Sequence, residues 1–229
     1  PKGSSLYLVC DGVGGSDYGE VAARLACEHI AAHFSKPMEG DLESNINAAV
    51  INAEDGIRSY AERNPASKKM STTLTLLHIN GHKAIAAHIG DSRIYHVRNG
   101  KILFKTTDHS LVAEMLAEGK ITPETTLNHP QSNIITRALS GAGKRALPDI
   151  HTLLNLQAKD YFILCSDGIL EAVDEDFIEK TFLADAHLGN IASLIRLQCR
   201  LHSADNYSAL IIKLEDIKAI PLMLTHLRK

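Results

Sequence analysis

The chain has 229 residues, of which 45% are hydrophobic, and a formal net charge of −3 with acidic and basic residues interspersed. At about 100–200 residues per domain, this length predicts a single domain over residues 1–229. The sequence has no run of basic residues that would indicate binding to nucleic acid or to an acidic membrane surface. No stretch reaches the roughly 18 apolar residues that span a bilayer.

The four cysteines are far apart in the sequence and have aliphatic neighbours. A disulfide framework or a zinc site would favour closer, paired spacing, so we predict buried free thiols, with such a framework as the alternative. The N-terminal residues lack the apolar run of a signal peptide. Free thiols and no signal peptide predict a cytoplasmic location.

The first part of the chain predicts a strand, a glycine-rich turn and two helices. Residues 6–10 form an apolar strand that leads into the turn "CDGVGG". Apolar residues at helical spacing then predict a helix over Gly19–Phe34. A second amphipathic helix has Asp41 as its N-cap and stops before Asn64-Pro65.

The middle of the chain changes to strand periodicity. "STTLTLLHI", "KAIAAHIG", "SRIYHVR" and "KILFK" are joined by very short links, including the hairpin signal Asn99-Gly100. Such links predict antiparallel pairing of consecutive strands. After a short helix that ends at Gly119, the polar, proline-containing residues 120–147 predict a flap.

The last part of the chain repeats the theme of strands and helices. The strand "DYFILCSDG" is followed by helices over Asp174–Phe182 and Asn190–His202 and by the strand "YSALIIKL". The whole order predicts an α+β fold, a four-layer α/β/β/α sandwich of two antiparallel sheets flanked by helix pairs. The apolar tail, residues 215–229, is predicted to dock as a helix interrupted at Pro221.

Four aspartates follow or end apolar strands and sit in turns, namely Asp11, Asp91, Asp167 and Asp205. Each alone is explained as a turn former or an N-cap. Together, carboxylates at strand ends would repel one another unless a cation is bound. Hard oxygen ligands favour Mg²⁺ or Mn²⁺, so the pattern predicts a metal site.

Six motifs in order resemble those of the protein phosphatase 2C-like (PPM-type) family of metal-dependent serine/threonine phosphatases. They are "DGVGG", "GDSRIY", "DHSLVAEML", "NIITRALSG", "ILCSDGILEAV" and "ADNYSALII". The resemblance extends from Leu6 to about Leu214 and is strongest to the bacterial branch. It implies a two-metal cleft at one edge of the paired sheets.

By this resemblance, two Mn²⁺ or Mg²⁺ ions would be bound, with a third, weaker site. Asp11 would bridge the two metals, and the backbone carbonyl of Gly12 would bind one of them. Asp167 and Asp205 would complete the other site. Asp91, together with Asp167, resembles the pair that holds the third metal in bacterial members.

The resemblance also implies the reaction, in which Asp11, Asp167 and Asp205 form the catalytic set. A metal-bridging hydroxide would attack phosphorus in line, in phosphoserine or phosphothreonine of a protein substrate. Asn206 would orient its neighbour, and Gly168 would support the site. The expected partner is a phosphorylated protein, and the phosphatase would oppose a serine/threonine kinase.

Family members carry an upstream strand with a phosphate-binding arginine and an Asn-Glu-Asp turn, and neither is in the printed sequence. We therefore expect a truncated or divergent member with weakened activity. The group that binds the substrate phosphate stays unknown, although Arg24 and Arg137 are candidates. Two alternatives remain: a pseudophosphatase that binds a phosphoprotein or kinase, and a nucleotide-binding glycine turn, which the hairpin-rich middle disfavours.

Overall fold

The structure, a computed structural model, describes residues 4–13, 18–126, 129–183 and 186–215, and the backbone of 223–228. In chain order the strands are β1 (Ser4–Val9), β2 (Ser71–Thr72), β3 (Leu74–Asn80), β4 (Lys83–Ile89), β5 (Arg93–Arg98), β6 (Lys101–Lys105), β7 (Leu139–Ser140), β8 (Asp149–Leu153), β9 (Tyr161–Cys165), β10 (Ser208–Lys213) and β11 (Met223–Arg228). The α-helices are α1 (Gly19–Phe34), α2 (Leu42–Arg63), α3 (Leu111–Ala117), α4 (Pro123–Thr126), α5 (Asp167–Leu170), α6 (Glu175–Thr181) and α7 (Leu188–His202).

The strands form two main sheets. The first has the order β1-β3-β4-β8 and the second the order β11-β10-β9-β5-β6, while β2 and β7 pair separately. Every pairing between these strands is antiparallel. The predicted antiparallel sheets are therefore confirmed.

Three apolar cores lie between four layers. One core packs α1 and α2 on the first sheet, and another packs α6 and α7 on the second. The third lies between the sheets, because successive strand residues point to opposite faces. In β3, Leu76 faces the helices and Leu77 faces the second sheet. The predicted α/β/β/α sandwich is confirmed.

The predicted helix boundaries follow from local capping chemistry. Asp41 accepts a hydrogen bond from the Ser44 N–H at 2.8 Å and caps α2. Asp174 caps α6 by accepting from the Phe177 N–H at 2.7 Å. Asn99 and Gly100 both have positive φ, 49° and 69°, as the predicted hairpin turn between β5 and β6 requires.

The predicted pairing of every consecutive strand is wrong at the β4–β5 link. These strands belong to different sheets, and the link between Ile89 and Arg93 carries the chain from one sheet to the other. Gly90 allows this corner because its φ of +99° favours glycine. The hairpins β3–β4 and β5–β6 are confirmed.

The prediction missed strand β8 and misassigned the tail. β8 is the edge strand of the first sheet, and its sequence "DIHTL" lacks a continuous apolar run. The expected tail helix is wrong, since residues 223–228 form β11, which pairs with β10. Pro221 lies outside the described residues. A short apolar run does not distinguish a strand from a helix, which explains the error.

Part of the predicted flap, residues 120–147, packs against the core. Ser140 of β7 pairs with Ser71 of β2, and Leu139 and Ala146 are buried beneath α2 in the helix-side core. Burial of these two residues was not predicted, because the surrounding sequence is polar. The role of residues 120–147 as a flap stays a prediction, as do the boundaries of the single domain.

The cysteines have free thiols, as predicted. Cys165 and Cys199 are buried, as predicted, but Cys10 and Cys27 are only half-buried, so the prediction of burial is wrong for these two. A hydrogen bond with Cys27, and then burial, raises the pKa of Cys10 well above its usual range.

Among the described residues, no helix is both long and apolar enough to cross a membrane.

Candidate functional site

The four predicted aspartates lie at strand ends of both main sheets. Asp11 follows β1 and Asp91 follows β4, both in the first sheet, whereas Asp167 follows β9 and Asp205 precedes β10, both in the second. The carboxyl groups of Asp11 and Asp167 are hydrogen-bonded, and Asp11 interacts electrostatically with the other two acids. The structure thus places all four at one edge of the sandwich, where Asp11 interacts with each of the other three.

Proximity and burial disfavour the charged form of these acids. Burial, followed by the charge of Asp167, raises the pKa of Asp11 to about 8. Burial and the same neighbour raise the pKa of Asp91 to about 6. Burial also raises the pKa of Asp167, with a further contribution from Asp205. Carboxylates that cannot all ionise near neutral pH are a suitable site for divalent cations, which replace the shared protons.

The backbone of Asp11 is fixed by a polar clamp from the neighbouring strands. The Asp11 N–H donates to Thr73 Oγ1 at 3.0 Å, and the Asp11 carbonyl accepts from the Thr72 hydroxyl at 2.7 Å and the Thr73 N–H at 2.8 Å. Thr73 Oγ1 also shares a hydrogen bond of 2.7 Å with Ser92 Oγ. Thr72, Thr73 and Ser92 are buried. The clamp links the turn of Asp11 to that of Asp91.

Two glycines allow backbone segments of the site to approach closely. A Cβ on Gly12 would lie 2.3 Å from the carbonyl carbon of Gly19, the first residue of α1. A Cβ on Gly168 would lie 2.2 Å from the carbonyl oxygen of Asn206. Real side chains essentially never make contacts this short, so both positions require glycine. The rest of the predicted turn, residues 14–17, lies outside the described residues.

The aspartates of the second sheet are oriented by adjacent backbone amides. Asp167 Oδ1 accepts from the Gly168 N–H at 2.7 Å, and Asp205 Oδ1 accepts from the Asn206 N–H at 2.6 Å. Both contacts leave the other carboxylate oxygen of the aspartate available for a further partner. Asp205 and Asn206 are exposed, so this side of the site is open to solvent.

A bidentate ion pair lies beside Asp91. Arg93 donates from Nε to Asp108 Oδ1 at 2.6 Å and from Nη2 to Asp108 Oδ2 at 2.7 Å. Its Nη1 donates to the Tyr95 hydroxyl at 3.1 Å. These contacts hold the start of β5 against the segment after β6 and fix one side of the Asp91 turn.

A second group of potential metal ligands consists of His88, His109 and Asp149, whose ligand atoms lie within 4.8 Å of one another. The Gly90 N–H donates to His109 Nδ1 at 3.0 Å, so the proton of the neutral ring lies on Nε2. That Nε2 faces Asp149 Oδ2 at 3.3 Å. His109 Nε2 is buried and makes no hydrogen bond in the described part of the chain. Because the neutral ring carries its proton on that nitrogen, His109 offers no free lone pair towards Asp149, and this group does not fit a metal ion.

The predicted arginine candidates are paired with acids. Arg24 pairs with Glu28 on the exposed face of α1 at 3.0 Å. Arg137 pairs with Asp149 at 2.5 Å and also donates to the Leu147 carbonyl. Sequence reasoning missed Thr72 and Thr73, because their contacts with the site depend on long-range packing.

The sequence profile described as "Protein phosphatase 2C" matches residues 1–196. The chain belongs to the protein phosphatase 2C family. It is 33% identical over 214 residues to the serine/threonine protein phosphatase PstP of Mycobacterium tuberculosis. That alignment covers 93% of this chain and 41% of PstP. It is 30% identical over 218 residues to the protein phosphatase PhpP of Streptococcus pneumoniae, with 93% of this chain and 87% of PhpP covered.

Among solved structures of this family, the catalytic domain of PstP in complex with two manganese ions superposes with a TM-score of 0.78 and 30% identity. The alignment covers 93% of this chain and 91% of that domain. The present chain therefore spans about two fifths of the length of PstP but nearly all of its catalytic domain. Protein phosphatase 2C enzymes are metal-dependent, as the PstP complex illustrates.

Proposed function

We propose that the protein hydrolyses phosphoserine and phosphothreonine in proteins with the help of divalent cations. The observation that carries this proposal is the contact between the Asp11 and Asp167 carboxyl groups, beside Asp91 and Asp205. Four acids at the edge of two sheets, with three of their pKa values raised, are suited to binding more than one cation. Family membership supports the same activity.

The four acids have different places in the proposed metal centre. Asp11 contacts Asp167 and interacts with the other two acids, so its carboxylate is suited to lie between two ions. The carbonyl of Gly12 would complete the ligands of one ion, and Asp167 and Asp205 would hold the other. Asp91 and Asp167 would hold a third ion more weakly. Oxygen donors alone favour Mn²⁺ or Mg²⁺.

When bound, the cations would supply a water molecule of lowered pKa for attack on phosphorus and would neutralise charge on the phosphoryl oxygens. The chain's own residues orient this centre. Thr72 and Thr73 fix the position of Asp11, while the Gly168 and Asn206 amides orient Asp167 and Asp205.

Nearby thiols are poor candidates for a nucleophile. Burial raises the pKa of Cys165 to about 12, and the pKa of Cys10 is also raised, so both remain protonated near neutral pH. This protonation favours attack by water over a covalent cysteine mechanism.

Free thiols also support a cytoplasmic location. The proposed partner is a phosphorylated protein, with a serine/threonine kinase acting in opposition.

Turnover of a phosphothreonine peptide and of p-nitrophenyl phosphate, with and without Mn²⁺, tests this proposal in the protein as its gene encodes it. We expect metal-dependent hydrolysis that Asp167→Asn reduces by at least about 100-fold. Asp176→Asn is the matched control, because Asp176 pairs with Lys180 on the exposed face of α6. Equal turnover by the wild type and Asp167→Asn would overturn the proposal.

A further inference from the structure

Two cavities adjoin each other on the side of the molecule formed by β2, β7 and residues 135–149. Their volumes are about 400 and 680 Å³, and they share Thr136, Arg137 and Ala138 in their walls. Five cationic side chains line them, namely Lys68, Lys69, Arg137, Lys144 and Arg145. We call this surface the basic groove. It stands out because the net charge of the whole chain is −3.

Three of the five cations have no acidic partner within the described part of the chain. Arg137 pairs with Asp149, and Arg145 pairs with Asp55. For Lys68, Lys69 and Lys144, no ion pair is found among the described residues, and all three side chains are exposed. The acid in the walls, Asp149, is already engaged by Arg137. The groove therefore offers uncompensated positive charge.

The basic groove begins next to the candidate metal centre. Ser71 lines it, and the Ser71 carbonyl accepts the Val13 N–H at 3.0 Å. Val13 is two residues after Asp11. Lys69 is two residues before Ser71, which places their Cα atoms at most about 7.6 Å apart. A peptide bound at the candidate metal centre would therefore reach Lys68 and Lys69 within a few residues.

The lysine pair has a rigid base. Lys68 and Lys69 follow a short 3₁₀ helix, Pro65–Ser67, and precede the fully buried Met70. The Met70 N–H donates to the Ser67 carbonyl at 2.9 Å, and the Met70 carbonyl accepts the Gly141 N–H at 3.1 Å. Both walls of the groove are therefore fixed relative to each other and to Asp11.

We propose that the basic groove selects substrates that carry an anionic group a few residues from the target phosphoresidue. The inference rests on the proposed phosphatase function and names the substrate class. Lys68 and Lys69 bind a carboxylate or a second phosphate, both of which a lysine ammonium recognises as a point charge. Lys144 extends the positive surface to the second cavity. Opposite charge raises both the association rate and the specificity for such peptides.

The test compares the wild type with the double variant Lys68→Gln/Lys69→Gln. The matched control is Lys36→Gln/Lys83→Gln, which removes two exposed lysines outside the groove. Four substrates are used: p-nitrophenyl phosphate, a phosphothreonine peptide with neutral flanks, the same peptide with flanking glutamates, and the same peptide with a second phosphothreonine. The glutamate and doubly phosphorylated arms identify which anion is preferred.

We expect the double variant to lose about tenfold in kcat/KM on at least one anionic peptide, with less than about twofold change on the neutral peptide and on p-nitrophenyl phosphate. The control should behave like the wild type. This loss should shrink at high salt, because exposed charges are screened. Equal kcat/KM for anionic and neutral peptides in the wild type, or equal losses on both, would overturn the proposal.

The experiment also distinguishes failure of the proposed phosphatase activity from failure of the proposal about the basic groove. In that case no variant hydrolyses p-nitrophenyl phosphate, and binding of fluorescent peptides, measured by anisotropy, decides the question of the groove. Tighter binding of an anionic peptide by the wild type than by the double variant would support the groove. Equal binding by both would overturn it.

Discussion

The backbone N–H of Gly90 donates a hydrogen bond to Nδ1 of His109 at 3.0 Å, and the His109 N–H donates to the Gly90 carbonyl at 2.9 Å. This reciprocal pair joins the turn that carries Asp91 to the segment after β6. Because the His109 carbonyl also accepts the Thr136 N–H at 2.8 Å, His109 connects the candidate metal centre with the segment that lines the basic groove.

Replacement of His109 tests this connection. In His109→Ala the buried Gly90 N–H loses its acceptor, so we expect a loss of about 1–3 kcal/mol in the free energy of unfolding. His109→Asn should recover part of that loss, because its side-chain oxygen can accept the same hydrogen bond. Urea unfolding of the three proteins measures the difference. Equal stability of the alanine and asparagine variants would argue against the hydrogen bond as the cause.

Gly168→Ala should disturb the second-sheet side of the metal centre. The added Cβ would lie 2.2 Å from the Asn206 carbonyl oxygen, so the loop that carries Asp205 must move. We expect a loss of about 1–3 kcal/mol in stability and weaker Mn²⁺ binding by calorimetry.

Gly189→Ala is the control for that substitution. There the Cβ meets the His187 side chain, at 3.1 Å, at the N-terminus of α7, the end of that helix away from Asp205. Unchanged Mn²⁺ affinity in Gly168→Ala would show that the close approach does not position Asp205.

Between about pH 6 and pH 8, the stability of the metal-free protein should fall as pH rises. The pKa of Asp11 is raised from 3.8 to about 8, and that of Asp91 from 3.8 to about 6. At pH values between the ordinary and the raised pKa, the folded state therefore binds more protons than the unfolded state. The stabilising contribution is full below about pH 4 and is lost as pH rises through about 8. Urea midpoints measured with a chelator at pH 6 and pH 8 test this trend.

The Asp11→Asn variant isolates the contribution of that carboxyl group. Its urea midpoint should change less between pH 6 and pH 8 than that of the wild type. Mn²⁺ at 100 times its dissociation constant should add about 2.7 kcal/mol to the wild type. If the wild type and the variant have the same pH dependence, Asp11 does not hold a shared proton.

The buried carboxylate Asp160 gives the opposite dependence on pH. Burial opposes its ionisation, but hydrogen bonds from Arg98 and His96 lower its pKa to about 2. Its stabilising contribution is present above about pH 4 and is lost as pH falls through about 2. We expect Asp160→Asn to cost about 3–5 kcal/mol at pH 7, because Arg98 loses its partner.

Unfolding at pH 7 and pH 3 checks the expectation for Asp160, with the exposed Asp176→Asn as the control. The gap between the wild type and Asp160→Asn should narrow at the lower pH. A gap of under about 1 kcal/mol at pH 7 would contradict the account of this ion pair.

The sequence predicted the layers and the four acids because both depend on local patterns. A short stretch of sequence is enough to recognise helical spacing, the N-caps Asp41 and Asp174, and aspartates at strand ends. The clamp of Thr72 and Thr73 on Asp11 joins residues about 60 positions apart, and no local pattern indicates it. The same holds for the contact between Gly90 and His109.

Edge strands and sheet changes were harder to predict for a physical reason. β8 covers one edge and is partly solvated, so it lacks the apolar run that identified β3 and β9. A short link between strands fits a hairpin as well as a corner between two sheets. Only the packing of β4 and β5 on opposite sides of the central core distinguishes the two.

The central claim is that Asp11 and its neighbours bind divalent cations in place of a shared proton. Calorimetric titration of Mn²⁺ at pH 7, repeated in buffers of different ionisation enthalpy, measures both the binding and the protons released. We predict at least two bound Mn²⁺ ions in the wild type, with proton release that decreases in Asp11→Asn. Absence of Mn²⁺ binding, or the same affinity and proton release in Asp11→Asn, would contradict the claim.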